Sequence, residues 1–265
     1  MSERPDSEFF VRSGEEIIQH LDRDMTASLV APSLTRREKL ALACRMLADD
    51  GHARTLAGQI TARADIPDTY WTTNFAAGLA GTTASNLVRV DSEMRVVEGE
   101  GMANPAVRFH LWIYGARPEL NCIVHTHPPY SSALSMTGEP LRVAHMDAMA
   151  FFEDCALLQH WPGVPLANEE GRLISEALGK KRSILLAHHG LLTTGSSLEE
   201  AVYLAVLFEQ AAQLQVLAGL VGEVRDVPRE LALKARDFLL KDSIIKGTFN
   251  YWVRRVAQRH PDVLS

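Results

Sequence analysis

Two histidines spaced two residues apart, His125 and His127, close the apolar run Asn121-Cys-Ile-Val-His-Thr-His-Pro-Pro-Tyr130. In an extended chain alternate side chains share a face, so both imidazoles point the same way off the end of a buried strand, which Pro128 and Pro129 then stop. Two neutral imidazoles so placed can grip one divalent metal. A second strand end, Ile184-Leu-Leu-Ala-His-His-Gly190, offers His188 and His189, with a glycine behind them that lets the chain turn and an imidazole face a cavity. Three neutral nitrogen ligands leave positions open for substrate, the catalytic rather than the structural pattern. They also leave the ion its full charge, as a Lewis acid for an enolate or a bound carboxylate. Any one of these histidines alone is more often a hydrogen-bonded core residue than a ligand.

The elements that must hold these ends are legible from spacing. A helix is expected over Thr35–Asp49, with Thr35 and Glu38 as capping box and Gly51 behind its end. Helical character also runs from Glu15 to Val30. Leu56–Ala62, Tyr70–Phe75 and Asn86–Val90 read as strands between turn signals. Asn104-Pro105 opens a helix with Val107, Leu111 and Tyr114 as its apolar stripe, ended by Arg117-Pro118. Leu141–Ala150 is expected as a strand, Glu169–Leu178 as a helix, and Ser183–Ala187 and Leu191–Thr194 as strands flanking the second histidine site. Ser197 and Glu200 read as the capping box of the longest helix, which runs to about Leu220. A helix over 228–240 and an amphipathic segment from Thr248 to Val256, with Phe249, Tyr251 and Trp252, follow.

Composition bounds the class. With 265 residues, 46% hydrophobic and 23% charged, the chain is long enough for one full core. A net charge of −6 with dispersed basic residues leaves no footprint for nucleic acid. No run of the roughly 20 apolar residues of a membrane span is evident, nor the apolar core of a signal peptide. Cys44, Cys122 and Cys155 show no zinc spacing and read as reduced thiols of a cytoplasmic protein. No linker or repeat divides 1–265, so one domain is expected, with a loose segment over 1–14 and a helical extension over 221–265.

Gly58-Gln-Ile-Thr61, the run from Arg108-Phe-His110 through His125-Thr-His127, and Leu186-Ala-His-His-Gly190 together resemble the class II aldolase/adducin family, in its order and spacing, over about residues 35–220. The resemblance implies an α/β fold, three-layer α/β/α around a mixed, mainly antiparallel sheet. It implies a homotetramer with active sites at subunit interfaces, and one divalent ion per subunit, zinc, manganese or Fe(II), that steadies an enediolate. The family's third ligand precedes the glycine, which maps to His189 and leaves His188 where asparagine is common.

The departures are as informative. Sugar-phosphate members carry Ser-Ser-Glu at the start of the helix before the histidine strand, where this chain has Asn104-Pro105-Ala106. Proline offers an anion neither N–H nor hydroxyl, and alanine moves no proton. The phosphate-binding Gly-Asn is Gly58-Gln59 here. His110, one helical turn after Ala106, and His145, two residues before Asp147, are candidates to replace the missing acid/base; each reads equally as a structural or surface residue. Arg108 can clamp a substrate carboxylate or sit in a surface ion pair, and Gln59 and His188 are further candidates for substrate contact.

Decarboxylation of a chelating hydroxy acid needs no base at carbon, which suits this set. The chain is most similar to the family's aromatic-acid branch, so the expected function is decarboxylation of a hydroxy-substituted aromatic or heteroaromatic carboxylate. The alternatives are an aldolase on an unphosphorylated substrate, a non-haem Fe(II) oxygenase and a non-catalytic adducin-like module.

Overall fold

Along the strand Cys122–Thr126, side chains alternate between two apolar layers. Cys122 and Val124 enter one core with Leu40, Leu47, Ala205 and Phe208, while Ile123 enters a second with Phe109, Ile113, Ile174 and Leu178. That alternation defines three layers. The computed structural model describes residues 12–29, 33–163 and 168–265.

The strands are β1 (Gln59–Arg63), β2 (Thr69–Thr72), β3 (Val88–Asp91), β4 (Val96–Glu98), β5 (Cys122–Thr126), β6 (Cys155–Leu158), β7 (Ser183–Leu186) and β8 (Gly190–Gly195). They form one sheet in the order β4-β3-β2-β1-β5-β8-β7-β6. Every neighbouring pair is antiparallel except β6 with β7. One face carries α3 (Val107–Ala116) and α5 (Asn168–Leu178); the other carries α2 (Arg36–Asp49), α6 (Leu198–Val221) and α8 (Asp242–Arg259). Helices α1 (Gly14–Ser28), α4 (Pro129–Ser135) and α7 (Arg229–Leu239) complete the described residues. The three-layer arrangement around a mixed, mainly antiparallel sheet is the one expected.

Local signals hold where the chemistry is explicit. Thr35 and Glu38 make both bonds of a capping box on α2. The helix ends in a Schellman turn: Gly51 N–H donates to Ala48 and His52 N–H to Leu47, with Gly51 at φ +82°. At α6 only half of the expected box forms. Ser197 accepts from Glu200 N–H, but the Glu200 carboxylate turns back to Ser196 N–H at 2.7 Å and to Arg182 at 3.2 Å. Helix α1 is fixed at its start by a Ser13/Glu16 capping box, a signal the sequence reading missed. The loose segment expected over 1–14 lies outside the described residues up to residue 11.

The strand expected over Leu141–Ala150 does not form. Residues Met146–Phe151 make a 3-10 turn, opened by His145, whose side chain accepts from Asp147 N–H. Arg142 N–H is taken by the Gln215 side chain rather than by a ladder, and Ala148 to Phe151 pack into the core beside α6. Edge strands β4 and β6 were not among the expected strands. Contrary to the expectation of no membrane-length apolar run, helix α6 is long and apolar enough, by length and composition, to cross a membrane. Here its first half is the central helix of the larger core. The C-terminal α8 buries Phe249, Val253 and Val256 in that same core, so the aromatic segment packs inward, with Tyr251 left outside.

Candidate metal centre

Strand β5 lies between β1 and β8, so its carboxyl end meets the start of β8 directly, Thr126 opposite Leu191. The turn from β7 into β8 carries the second pair of histidines. His188 takes the left-handed conformation at φ +55°, which swings the chain round and leaves the His189 ring facing the β5 end. The turn was expected from Gly190; the structure assigns it to His188. Gly190 serves another purpose. A Cβ there would lie 2.5 Å from the Thr126 carbonyl oxygen and 2.7 Å from the His127 ring, so only glycine lets the two strand ends approach so closely.

His125, His127 and His189 converge. Their candidate ligand nitrogens all lie within 4.8 Å of one another, and their ring centroids are 4.6–4.8 Å apart in pairs. The Nε2 atoms of His125 and His127 are 2.9 Å apart. His125 Nδ1 lies 2.9 Å from the Leu191 carbonyl oxygen, to which it can only donate. That fixes the tautomer with the Nε2 lone pair aimed at the other two rings, the orientation a metal ligand needs. Burial, reinforced by the neighbouring histidines, holds His125 well below the usual imidazole range; burial alone lowers His127, and burial with His127 takes His189 down to about 4. All three are therefore neutral at pH 7, and three imidazole nitrogens converging on one point fit a divalent ion.

These rings open on a cavity of about 580 Å³. Leu56, Ala57, Phe75, Pro105 and Ala106 give it an apolar wall, with Gln59 from β1 beside His125. Gln59 is 1% exposed, and its Nε2 has no hydrogen-bond partner among the described residues. An unmade bond of this kind costs about 1–3 kcal/mol, and the amide stands at the cavity wall, where a ligand oxygen can accept from it. At the mouth of α3, Asn104 Oδ1 accepts from Ala106 N–H at 3.0 Å, and Val107 N–H bonds to the Asn104 carbonyl. Pro105 has no N–H, so the amides that an anion would seek at this helix start are absent or already used.

The other expected residues fall elsewhere. His110 is fully buried, Nδ1 2.9 Å from Thr61 Oγ1, beside a Tyr114 hydroxyl that donates to the Thr61 carbonyl. It does not line the cavity; burial takes it to about 3, and it joins α3 to β1. His145 stands in a different groove, with Arg142 and Leu214, because its segment is a turn rather than a strand. Arg108 lies on the outer side of α3, in a separate cavity with Trp112 and Arg172. His188 is exposed and contributes its backbone conformation, not its ring, to the site. Among the described residues, His110, His145, Arg108 and His188 thus stand outside the cavity on which the three histidines open.

Two residues went unread. His52 is buried behind β5 with Nδ1 2.8 Å from Thr126 Oγ1. Glu209, the carboxylate in an otherwise apolar stretch of α6, accepts from Tyr130 N–H and Ser131 N–H, each at 2.8 Å. The interruption of an apolar helix by a glutamate was the available signal for the second.

This fold and histidine centre belong to a known family. Residues 38–216 match the Class II Aldolase and Adducin N-terminal domain, and the chain is a member of that family. It is 35% identical over 180 residues, 67% of this chain and 67% of the relative, to Decarboxylase NovR of Streptomyces niveus. It is 34% identical over 180 residues to the 4-hydroxy-3-prenylphenylpyruvate oxygenase/4-hydroxy-3-prenylbenzoate synthase of Streptomyces roseochromogenus subsp. oscitans, covering 67% of this chain and 65% of that protein. Among solved structures, L-fuculose 1-phosphate aldolase from Glaciozyma antarctica PI12 superposes with a TM-score of 0.81 at 27% identity, over 91% of this chain and 99% of the other. The suspected aromatic-acid branch is thus represented among the relatives.

Proposed function

We propose that the chain is a cytoplasmic, divalent-metal-dependent carbon–carbon lyase that decarboxylates a hydroxy-substituted aromatic or heteroaromatic acid. The observation that carries this is the pairing of an intact three-histidine centre with a helix mouth, Asn104-Pro105-Ala106, that offers neither a proton-moving carboxylate nor free amides for a phosphate. The apolar wall of Leu56, Phe75 and Pro105 suits a ring better than a polyhydroxylated chain. Relatives named as a decarboxylase and as a prenylbenzoate synthase point the same way.

In this reading His125, His127 and His189 hold the ion. When bound, it supplies a positive charge that stabilises the negative charge developing beside the departing carboxylate. The chain's own residues do the rest. Leu191 holds His125 in its ligating tautomer, the apolar wall excludes water from the ring face, and Gln59 donates its free Nε2–H to a substrate oxygen. The single domain over 1–265 assembles as a homotetramer. The exposed apolar side chains on the second half of α6, Leu217, Leu220 and Val221, support an assembly.

The test is carbon dioxide release from hydroxybenzoates and hydroxypyridine carboxylates, with metal content measured on protein purified without added metal. Exchange of substrate α-protons with deuterated water, without carbon dioxide release, would favour aldol cleavage instead. A second reading, a non-haem Fe(II) oxygenase, is favoured by the relative whose name carries an oxygenase activity; oxygen uptake dependent on Fe(II) would select it.

A further inference from the structure

Position C″ of a Schellman turn ordinarily carries an apolar side chain that packs back on the helix. At the end of α2 that position is His52, and its side chain is fully enclosed. Its Nε2 has no hydrogen-bond partner among the described residues; the nearest carboxylate oxygen, of Asp50, is 3.8 Å away. A leucine or phenylalanine here would leave no such unmet group. Among the described residues the one hydrogen bond of the His52 side chain is to Thr126 Oγ1, at 2.8 Å, on the residue between two of the histidines.

We propose that His52 is a positioning residue for the metal centre, acting through Thr126 from the reverse face of β5. The inference rests on the reading of His125, His127 and His189 as metal ligands.

The two β5 histidines are held in different ways. His125 is inside the ladder, opposite Gln59 and Leu192, and its ring is oriented by the Leu191 carbonyl. His127 lies beyond the last ladder pair, and the one hydrogen bond of its ring among the described residues is with His125 Nε2, another ligand. Its pose is therefore set by the backbone on either side. On the amino side, Thr126 is tied to His52; on the carboxyl side, Tyr130 and Ser131 are tied to Glu209. His127 hangs between two polar anchors sunk in the α2 and α6 layer, and Gly190 lets its ring sit against β8. The Thr126 side chain points away from the cavity, so this anchor touches neither ion nor substrate.

Thr126→Val keeps the shape of the side chain and removes the hydroxyl, whereas Thr126→Ser keeps the hydroxyl. Zinc affinity of the full chain, measured by competition with a chromogenic chelator, and the melting temperature of the metal-free protein are recorded for both and for His52→Phe. About tenfold weaker zinc affinity is expected for Thr126→Val and His52→Phe, the low end of the range for losing a direct outer partner of a ligand, because this bond acts through one residue of backbone. Thr126→Ser stays within about twofold of the parent, and the double change Thr126→Val/His52→Phe is no weaker than either single one, as two ends of one bond require. Unchanged zinc affinity in Thr126→Val, whatever happens to the melting temperature, overturns the proposal and leaves His52 a packing residue. Failure of the parent chain to bind zinc, manganese or Fe(II) overturns the metal reading itself, and this inference with it.

Discussion

His125 Nδ1 sits 2.9 Å from the carbonyl oxygen of Leu191, the residue that opens β8 beyond Gly190. One backbone group of the partner strand thus decides which ring nitrogen of the most deeply buried of the three candidate ligands faces the other two. Nitrogen NMR of the metal-free chain at neutral pH will show His125 in the Nδ1–H tautomer. A mixed or Nε2–H population would contradict the orientation on which ligation depends.

Removing any one of the three rings leaves two ligands. His125→Ala, His127→Ala and His189→Ala are each expected to lose stoichiometric metal and to cut decarboxylation by at least about a thousandfold, the scale of several kcal/mol of transition-state charge stabilisation. The parent melting temperature should rise with added metal, by an amount matching about 2.7 kcal/mol at a hundredfold excess over the dissociation constant. The variants should show no such rise. Metal analysis and a thermal shift series decide the matter.

Gly190→Ala tests the close approach of the two strand ends. Its Cβ would be forced to within 2.5 Å of the Thr126 carbonyl oxygen and 2.7 Å of the His127 ring. A loss of about 2–4 kcal/mol in urea unfolding is expected, together with weaker metal binding, since neither backbone can retreat cheaply. An alanine variant of parental stability and affinity would show that the strands are further apart than described.

Gln59→Leu separates function from stability. The buried Nε2 has nothing to bond to in the free protein, so an apolar side chain of similar size should leave stability unchanged or raise it by about 1 kcal/mol. The same change should raise KM for the carboxylate substrate several-fold. A fall in stability with unaltered KM would show the amide to be structural.

Acid will act on the enclosed histidines. His52 and His110 are each lowered by burial from 6.5 to about 3. The unfolded chain takes up these protons first as pH falls, so the native contribution is complete above about pH 6.5 and is lost progressively toward pH 3. Each group contributes a slope of about 1.4 kcal/mol per pH unit within that window. Urea unfolding of the metal-free protein at pH 7.5, 5.5 and 4.5, with His52→Phe alongside, will show a shallower acid loss in the variant. Parallel curves would mean that His52 is charged or accessible in the native state.

The sequence revealed the parts of the site that obey a local period. The i, i+2 spacing of His125 and His127 on a strand, the Thr35/Glu38 capping box and Gly51 at positive φ are short-range rules, and the structure follows them. What it concealed depends on tertiary partners. Leu141–Ala150 alternates like a strand, but with Gln215 taking the Arg142 N–H and Ala148 to Phe151 drawn into the core it becomes a turn, and His145 leaves the site with it. Arg108 is one position round the helix from the cavity, a matter of phase that Asn104-Pro105 blurred by starting α3 two residues later than read. His52 gave no periodic signal, since its meaning comes from Thr126, 74 residues away.

The antiparallel pairing of β5 with β8 has a consequence for how the centre comes into being. His125 and His189 are separated by 64 positions in the chain, yet the last rung of the β5–β8 ladder, Thr126 with Leu191, brings their ring centroids to 4.6 Å. Before that rung closes, a strand of this sequence offers an ion only a two-point grip. The third ligand arrives with a long-range contact that pays its loop-closure entropy late in folding. Full coordination is therefore a property of the finished sheet alone, and tight binding will discriminate correctly paired chains from collapsed ones.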